Sequence, residues 1–180
     1  MERLQLRNFE EADFNTVYAY ASDGENLRYM LFPPNDEAAT RQFLRYAIGE
    51  AEKEPRRIWE LAVIQKDSGG LIGGCSIQRQ DDHEAEVGWM LRRDCWNKGY
   101  GTELAEALLA FGFGGLGLHR IIAHCHTENI GSWRVMEKIG MRREGRFVEA
   151  RPPRPGFDDN WADEYAYAIL RREWEDKEKG

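Results

Sequence analysis

The segment between residues 86 and 103 constrains the fold more than any other part of the chain. An apolar run from Val87 to Leu91 predicts a buried strand, and a polar loop follows it. A helical pattern begins near Gly99 and Gly101, two glycines that allow another molecule to approach the backbone closely. A strand, a loop and a helix in this order place backbone N–H groups where a phosphate can bind. The segment therefore predicts a phosphate-binding site, against the alternative of an ordinary glycine-rich turn.

Two common phosphate-binding motifs do not fit this segment. The P-loop pattern Gly-x-x-x-x-Gly-Lys-Ser/Thr does not occur in the chain. The dinucleotide pattern Gly-x-Gly-x-x-Gly fails because Leu104 stands where the third glycine would be. We therefore expect an anionic cofactor of another kind.

A second helix N-terminus is predicted within residues 127–141. Asn129 follows the apolar strand around Ile121 and is a favourable helix N-cap, with Ser132 in the first turn. Gly140 is typical of a residue that ends a helix. Asn129 is either a cap alone or a cap that also contacts a ligand, and the sequence leaves both open.

Three short patterns together resemble a known family. They are Trp-Asn-Lys-Gly-Tyr-Gly at 96–101, Asn-x-x-Ser at 129–132 and Glu-Lys-Ile-Gly-Met at 137–141. In this order they resemble the GNAT superfamily of N-acetyltransferases. The resemblance is closer to the RimJ/RimL branch, which contains the ribosomal-protein alanine N-acetyltransferases. It covers nearly the whole chain, from the first strand to a closing segment at 163–174.

The resemblance implies an enzyme that uses acetyl-CoA as cosubstrate and transfers the acetyl group directly to a primary amine. A protein N-terminal α-amine is one acceptor, and a small amine such as a polyamine, an amino acid or an aminoglycoside is the other. A module that binds acyl-CoA without turnover is the alternative to an enzyme. Homodimers are frequent in this branch, but no part of the sequence marks an interface.

The resemblance also assigns the cofactor-binding residues. Asn129 is expected to hold the cofactor arm, and the N–H near Met90 to donate to the acetyl oxygen as it becomes an oxyanion. Trp96 replaces the arginine or glutamine that opens the motif in many relatives. The pantetheine and pyrophosphate contacts fall on Met90, Leu91, Asn97, Lys98, Gly99, Tyr100, Gly101 and Thr102.

Ser132 and Glu86 are the candidate catalytic residues. Many relatives carry a tyrosine that protonates the leaving thiolate, but Met136 stands at that position. The RimJ/RimL branch instead points to Ser132, which serves either the thiolate or only the helix cap. Glu86 is the candidate general base acting through water, and Glu84 shares its face of the strand. A base on the sixth strand is in doubt because Arg151 stands at or near the place of the glutamate that some relatives use.

Composition limits the other functions. The net charge of −7 argues against nucleic acid as a partner and is compatible with a cationic substrate. No apolar stretch approaches the ~20 residues of a membrane span and no signal-peptide core opens the chain, so we expect a cytoplasmic protein. The three cysteines have no Cys-x-x-Cys spacing. Two histidines share one strand face but have no third ligand beside them, so we expect no metal site.

The hydrophobic pattern predicts one domain over residues 1–180, of the α/β (α+β) class. Its sheet is expected to be mixed and mostly antiparallel, with about seven strands and helices on both faces. The proline-stiffened connection 150–161 is either an idle surface loop or a rim that faces the substrate. The strands are expected at 4–7, 58–65, 71–79, 85–91, 120–126, 141–148 and 164–170.

Overall fold

The computed structural model describes residues 1–154 and 157–178. Within them the strands are β1 (Leu4–Asn8), β2 (Ile58–Gln65), β3 (Leu71–Arg79), β4 (Glu84–Leu91), β5 (Arg120–His126), β6 (Arg142–Arg151) and β7 (Ala162–Leu170). These seven strands form one sheet in the order β1-β2-β3-β4-β5-β7-β6. Strands β4 and β5 are parallel, and the other neighbouring pairs are antiparallel.

Helices cover both faces of this sheet. In the described residues they are α1 (Phe14–Ala21), α2 (Glu37–Ala51), α3 (Tyr100–Ala110), α4 (Ile130–Lys138) and α5 (Arg171–Glu178). The first two pack on one face through a cluster that includes Val17 and Leu44. The helices α3 and α4 pack on the other face through a larger cluster that includes Leu104 and Met136. The predicted fold class, a mixed and mostly antiparallel sheet with helices on both faces, is confirmed.

The parallel pair β4 and β5 separates partway along its length. Paired residues run only from Glu84 opposite Arg120 to Glu86 opposite Ile122. Beyond that point β4 continues to Leu91 and β5 to His126 without pairing to each other, which opens a gap between two adjacent strands. We call this gap the cleft. Because α3 and α4 each follow one of these strands, both helices begin near the open end of the cleft.

Hydrogen bonds link the α1–α2 connection to the end of β6 and the segment after it. The side chain of Arg154, after β6, donates to the backbone oxygens of Leu27, Arg28 and Met30 in the α1–α2 connection. Arg151 donates to the Tyr29 oxygen at 2.7 Å. The predicted 150–161 loop therefore has a structural role as the support of the α1–α2 connection, although its residues 155 and 156 lie outside the described residues.

The predicted strand boundaries hold best in the buried strands. The bounds of β2, β3 and β5 are those predicted, while β6 runs to Arg151 rather than to residue 148. The extension follows a register irregularity between Phe147 and Arg151. Helix α5 was not predicted, and its Trp174 packs against Phe113 with ring centroids 5.4 Å apart.

Candidate active site

The loop from β4 to α3 is shaped by left-handed backbone conformations. Asn97 has φ 58° and Gly99, the N-cap of α3, has φ 81°, a region that glycine occupies without steric cost. The Trp96 indole N–H donates to the Leu91 carbonyl oxygen at 2.8 Å, which ties the loop to the end of β4. The first N–H groups of α3 have no partner within the helix, so they are available to an anion. The predicted phosphate cradle at 97–102 thus has suitable backbone geometry.

Arg3 supports this cradle, a role that the sequence analysis did not predict. Its guanidinium donates to the Lys98 carbonyl oxygen at 2.9 Å and lies 4.6 Å from the centre of the Tyr100 ring. It also pairs with Glu103 at 2.9 Å, and Glu103 accepts the backbone N–H groups of Arg3 and Leu4. Burial acts to raise the pKa of Glu103, but these hydrogen bonds and the Arg3 charge lower it overall. The first strand therefore fixes the first turn of α3.

The missing side chain of Gly101 faces helix α4. A Cβ atom at this position would lie 3.4 Å from Cγ2 of Val135. A Cβ atom would thus be in van der Waals contact with α4, and any contribution of Gly101 to an anion comes from its N–H group. The expectation that Gly101 allows a ligand to approach the backbone closely stays a prediction.

The N-terminus of α4 has the predicted cap. The Asn129 side-chain oxygen accepts the Ser132 backbone N–H at 3.1 Å. Because the cap uses only the backbone of Ser132, its hydroxyl is not needed for capping. That hydroxyl lies near the thiol of Cys125, and burial raises the pKa of this thiol to about 11.

The register of β3 and β4 determines which backbone groups face the cleft. Arg92 donates its N–H to the Ile72 carbonyl oxygen on the β3 side at 2.8 Å. Alternate residues of an antiparallel strand point their N–H and C=O groups the same way, so Met90 also directs both toward β3. The donor expected near Met90 is therefore a residue next to Met90 rather than Met90 itself.

Trp89 and Leu91 are the residues of β4 whose backbone groups point away from β3. The same alternation assigns them to the cleft side. The Leu91 carbonyl oxygen agrees with this direction, because it accepts a hydrogen bond from Trp96 in the following loop. Their N–H groups are the better candidates for an oxyanion donor.

Glu86 pairs with a histidine that the sequence did not assign to it. Its Oε1 lies 3.0 Å from Nδ1 of His124 on β5, where the two strands are about to separate. This hydrogen bond, against a smaller effect of burial, raises the pKa of His124. Glu84 is less suited to act as a base, because it is bound to Arg120 at 2.6 Å. Arg151 pairs with Glu164 at 2.8 Å and offers no base on β6.

A cavity of about 530 Å³ lies on the α1–α2 face of the sheet. Its walls come from α1, α2, the connection between them, and strands β2, β3 and β4. Glu60 is the one charged side chain among the described residues that line it, and burial raises its pKa to about 7. The lining consists of Phe9, Val17, Tyr20, Ala21, Met30, Phe32, Asn35, Ala39, Gln42, Phe43, Tyr46, Glu60, Gly74, Cys75, Ser76, Gly88, Trp89 and Met90.

Other chemistries find little support in the part of the chain that the structure describes. These residues contain no group of three His, Cys, Asp or Glu side chains placed to hold a metal ion. None of the helices in the described ranges is both long and apolar enough to cross a membrane. Burial raises the pKa of the Cys95 thiol, which is unfavourable for a nucleophile.

Comparison with known proteins identifies the family. Residues 3–142 match the model of the acetyltransferase (GNAT) domain. The uncharacterized N-acetyltransferase YnaD of Bacillus subtilis (strain 168) is 42% identical over 175 residues, covering 96% of each chain. The structure of a GNAT-family acetyltransferase from Bacillus anthracis is 40% identical with a TM-score of 0.83, covering 95% of this chain and 96% of that one. The protein therefore belongs to the GNAT acetyltransferase family.

The family assignment makes this chain an N-acetyltransferase with acetyl-CoA as its cosubstrate. Mycobacterium smegmatis RimJ, solved in complex with CoA-disulfide, has a TM-score of 0.79 at 21% identity, covering 94% of this chain and 83% of that one. This likeness agrees with the predicted RimJ/RimL resemblance at the level of the fold. The acceptor is a separate question, which the site itself must address.

Proposed function

We propose that this acetyltransferase transfers the acetyl group directly to a primary amine that enters from the α1–α2 face. The observation that carries the proposal is the cleft, which separates two different environments. On one side lie two helix N-termini and the left-handed loop at Gly99, which suit a phosphate-bearing cosubstrate. On the other side lies the cavity, which is lined by Trp89 and Met90 of the same strand.

In this proposal acetyl-CoA is held by backbone groups along β4 and α3. Leu91 pairs with the pantetheine amides as an added strand would, and Met90 contributes to the adjacent wall. Asn129 orients the cofactor arm from the start of α4. The pyrophosphate is bound by the backbone of Asn97, Lys98, Gly99, Tyr100, Gly101 and Thr102.

The proposed chemistry divides three tasks among nearby groups. Glu86, oriented by His124, accepts a proton from the amine through water, so that the nitrogen becomes a nucleophile. The N–H groups of Trp89 and Leu91 stabilise the oxyanion as the nitrogen attacks. The Ser132 hydroxyl donates a hydrogen bond to the departing thiolate.

The test combines binding with turnover. Isothermal titration should show that acetyl-CoA and CoA bind, and mass spectrometry should show an acetylated amine after incubation with acetyl-CoA and amines of several classes. Glu86→Gln should lower kcat by 10- to 1,000-fold while the Kd of acetyl-CoA stays within threefold. Binding of acetyl-CoA without acetylation of any primary amine would refute the proposed transfer.

A further inference from the structure

Glu60 occupies an unusual place for a carboxylate. It lies on β2 between Trp59 and Leu61, and its side chain points to the face that α1 and α2 cover. There it lines the cavity, among side chains that are apolar or neutral in the described lining. An unpaired carboxylate in such surroundings is costly unless a ligand or a partner compensates it.

The register of the sheet locates Glu60 relative to the cleft. Glu60 is opposite Ser76 on β3, and Ser76 is opposite Gly88 on β4. The Glu60 carboxylate accepts a hydrogen bond from the Gln78 side chain at 3.2 Å, so it leans over β3. Adjacent strands are about 4.8 Å apart, which leaves the carboxylate roughly one strand spacing from β4. Gln78 is itself opposite Glu86, the proposed base.

The groups around Glu60 compensate its charge only in part. Its hydrogen-bond donor, Gln78, is uncharged. The Arg56 charge acts to lower the pKa of Glu60, but its guanidinium is hydrogen-bonded to the Ile58 carbonyl oxygen and to the Asn8 side chain rather than to this carboxylate. Burial accordingly raises the pKa of Glu60 to about 7, and a cation placed against it would favour its charged form.

We propose that the acceptor is a primary amine on a compact hydrocarbon body, with its ammonium bound by Glu60 and its body held between the aromatic walls of the cavity. This inference rests on the proposed function and names its substrate class. The volume of about 530 Å³ suits a small molecule. Glu60 is then the residue that selects and positions the amine, and Glu86 takes the proton.

The cavity disfavours the other two acceptor classes. A polyamine would bring several charges to a cavity with one carboxylate, and each unpaired charge would lose its hydration. A peptide would bring backbone amides that need partners, whereas most of the lining is aliphatic or aromatic. A single ammonium on a hydrocarbon matches both the charge and the walls.

The first experiment compares three acceptors by mass spectrometry: 2-phenylethylamine, spermidine and a peptide with a free N-terminal alanine. We expect 2-phenylethylamine to have the highest kcat/KM. Glu60→Gln should raise its KM by about 10- to 100-fold, the usual effect of losing a charge-assisted hydrogen bond, with kcat and the Kd of acetyl-CoA within threefold. The matched control is Glu144→Gln, since Glu144 is a carboxylate on β6 that pairs with Arg120 and Arg142 and does not line the cavity. It should leave KM unchanged.

A second experiment measures binding without turnover. N,N-dimethyl-2-phenylethylamine is a tertiary cation that forms no stable amide, and (3-methylbutyl)benzene is its neutral counterpart of similar shape. As inhibitors, the cation should bind the wild type at least 10-fold more tightly, and Glu60→Gln should remove that preference. A purely structural role for Glu60 would weaken both inhibitors equally and would overturn the inference.

The outcomes separate this inference from the proposed function. A higher kcat/KM for spermidine or the peptide would overturn the acceptor class and leave direct amine acetylation standing. An unchanged KM in Glu60→Gln would overturn the role of Glu60. Acetyl-CoA binding with none of the three classes acetylated would refute the proposed function, and this inference with it.

Discussion

The pH dependence of stability gives a sharp test of the environment of Glu60. The test replaces it with glutamine, which keeps the length of the side chain and its capacity to accept from Gln78 but carries no charge at any pH. In the folded protein the pKa of Glu60 is about 7, mainly because of burial, against an ordinary value of 4.5. The other ionisable groups near it are Tyr20, Tyr46, Glu50, Arg56 and Cys75.

The sign follows from where the proton is bound. Below pH 4.5 Glu60 is protonated in both the folded and the unfolded chain, so it imposes no electrostatic cost. Between pH 4.5 and about 7 the folded chain holds the proton more tightly, so its stability falls as the pH rises. Above pH 7 the full cost remains. At about 1.4 kcal/mol per pH unit, the interval between the two pKa values corresponds to a loss of stability of about 3 kcal/mol.

The assay is urea unfolding of the wild type and Glu60→Gln at pH 5 and at pH 8. The free energy of unfolding of the variant minus that of the wild type should rise by about 2–3 kcal/mol from pH 5 to pH 8, equivalent to several degrees in Tm. Glu144→Gln is the control, because hydrogen bonds from Arg120 and Arg142 lower the pKa of Glu144 to about 2. The free energy of unfolding of Glu144→Gln minus that of the wild type should be the same at pH 5 and at pH 8. An equally constant difference for Glu60→Gln would refute the argument.

Three further predictions concern the rest of the site. Ser132→Ala should lower kcat at least 10-fold while the Kd of acetyl-CoA and the Tm stay nearly constant, because the cap uses the Ser132 backbone; an equal loss of binding would assign the serine a structural role. Gly101→Ala should fold and bind nearly as the wild type, whereas Gly101→Val should lower the Tm by displacing Val135; equal melting temperatures in thermal denaturation would contradict this packing. Arg154→Ala should lower the free energy of unfolding by about 2–4 kcal/mol, because three buried or partly buried carbonyl oxygens lose their donor. Arg146→Ala, a change at an exposed arginine, should cost less than about 1 kcal/mol.

The sequence predicts the sheet well where local pattern decides it. Apolar residues between turn residues give the bounds of β2, β3 and β5, because each of these strands buries several of its side chains and so keeps a hydrophobic signal. The C-terminal helix α5 has no comparable signal, since its residues are mostly charged and its main apolar anchor is Trp174. Its formation depends on a tertiary contact with Phe113.

The site residues that the sequence missed are those whose roles depend on distant parts of the chain. Arg3 meets Lys98 and Glu103 across about a hundred positions, and a single arginine near the start of a strand does not indicate such a contact. Glu60 alternates with Trp59 and Leu61, a pattern that predicts a solvent-facing carboxylate. Because α1 and α2 cover this face of the sheet, the Glu60 side chain lies in the cavity instead of facing solvent.

The direction of backbone groups is a further limit. The expectation of a donor near Met90 does not specify the residue, because the side of the strand on which an N–H points changes with each step along it. Only the register with β3 determines which of Met90 and Leu91 faces the cleft. The family pattern locates the strand, and the hydrogen-bonding register with β3 then shows which of its residues directs its N–H into the cleft.

Three glutamates of this protein differ in their partners. Glu103 and Glu144 are held by arginines, and their lowered pKa values mean that charge and structure support each other at neutral pH. Glu60 has a neutral partner, and at neutral pH its charge lowers the stability of the fold. A glutamine at this position would fill the same space without that cost. The physical reason for a carboxylate at Glu60 is therefore the binding of a cation. The bound cation supplies the compensating charge that arginines supply to Glu103 and Glu144.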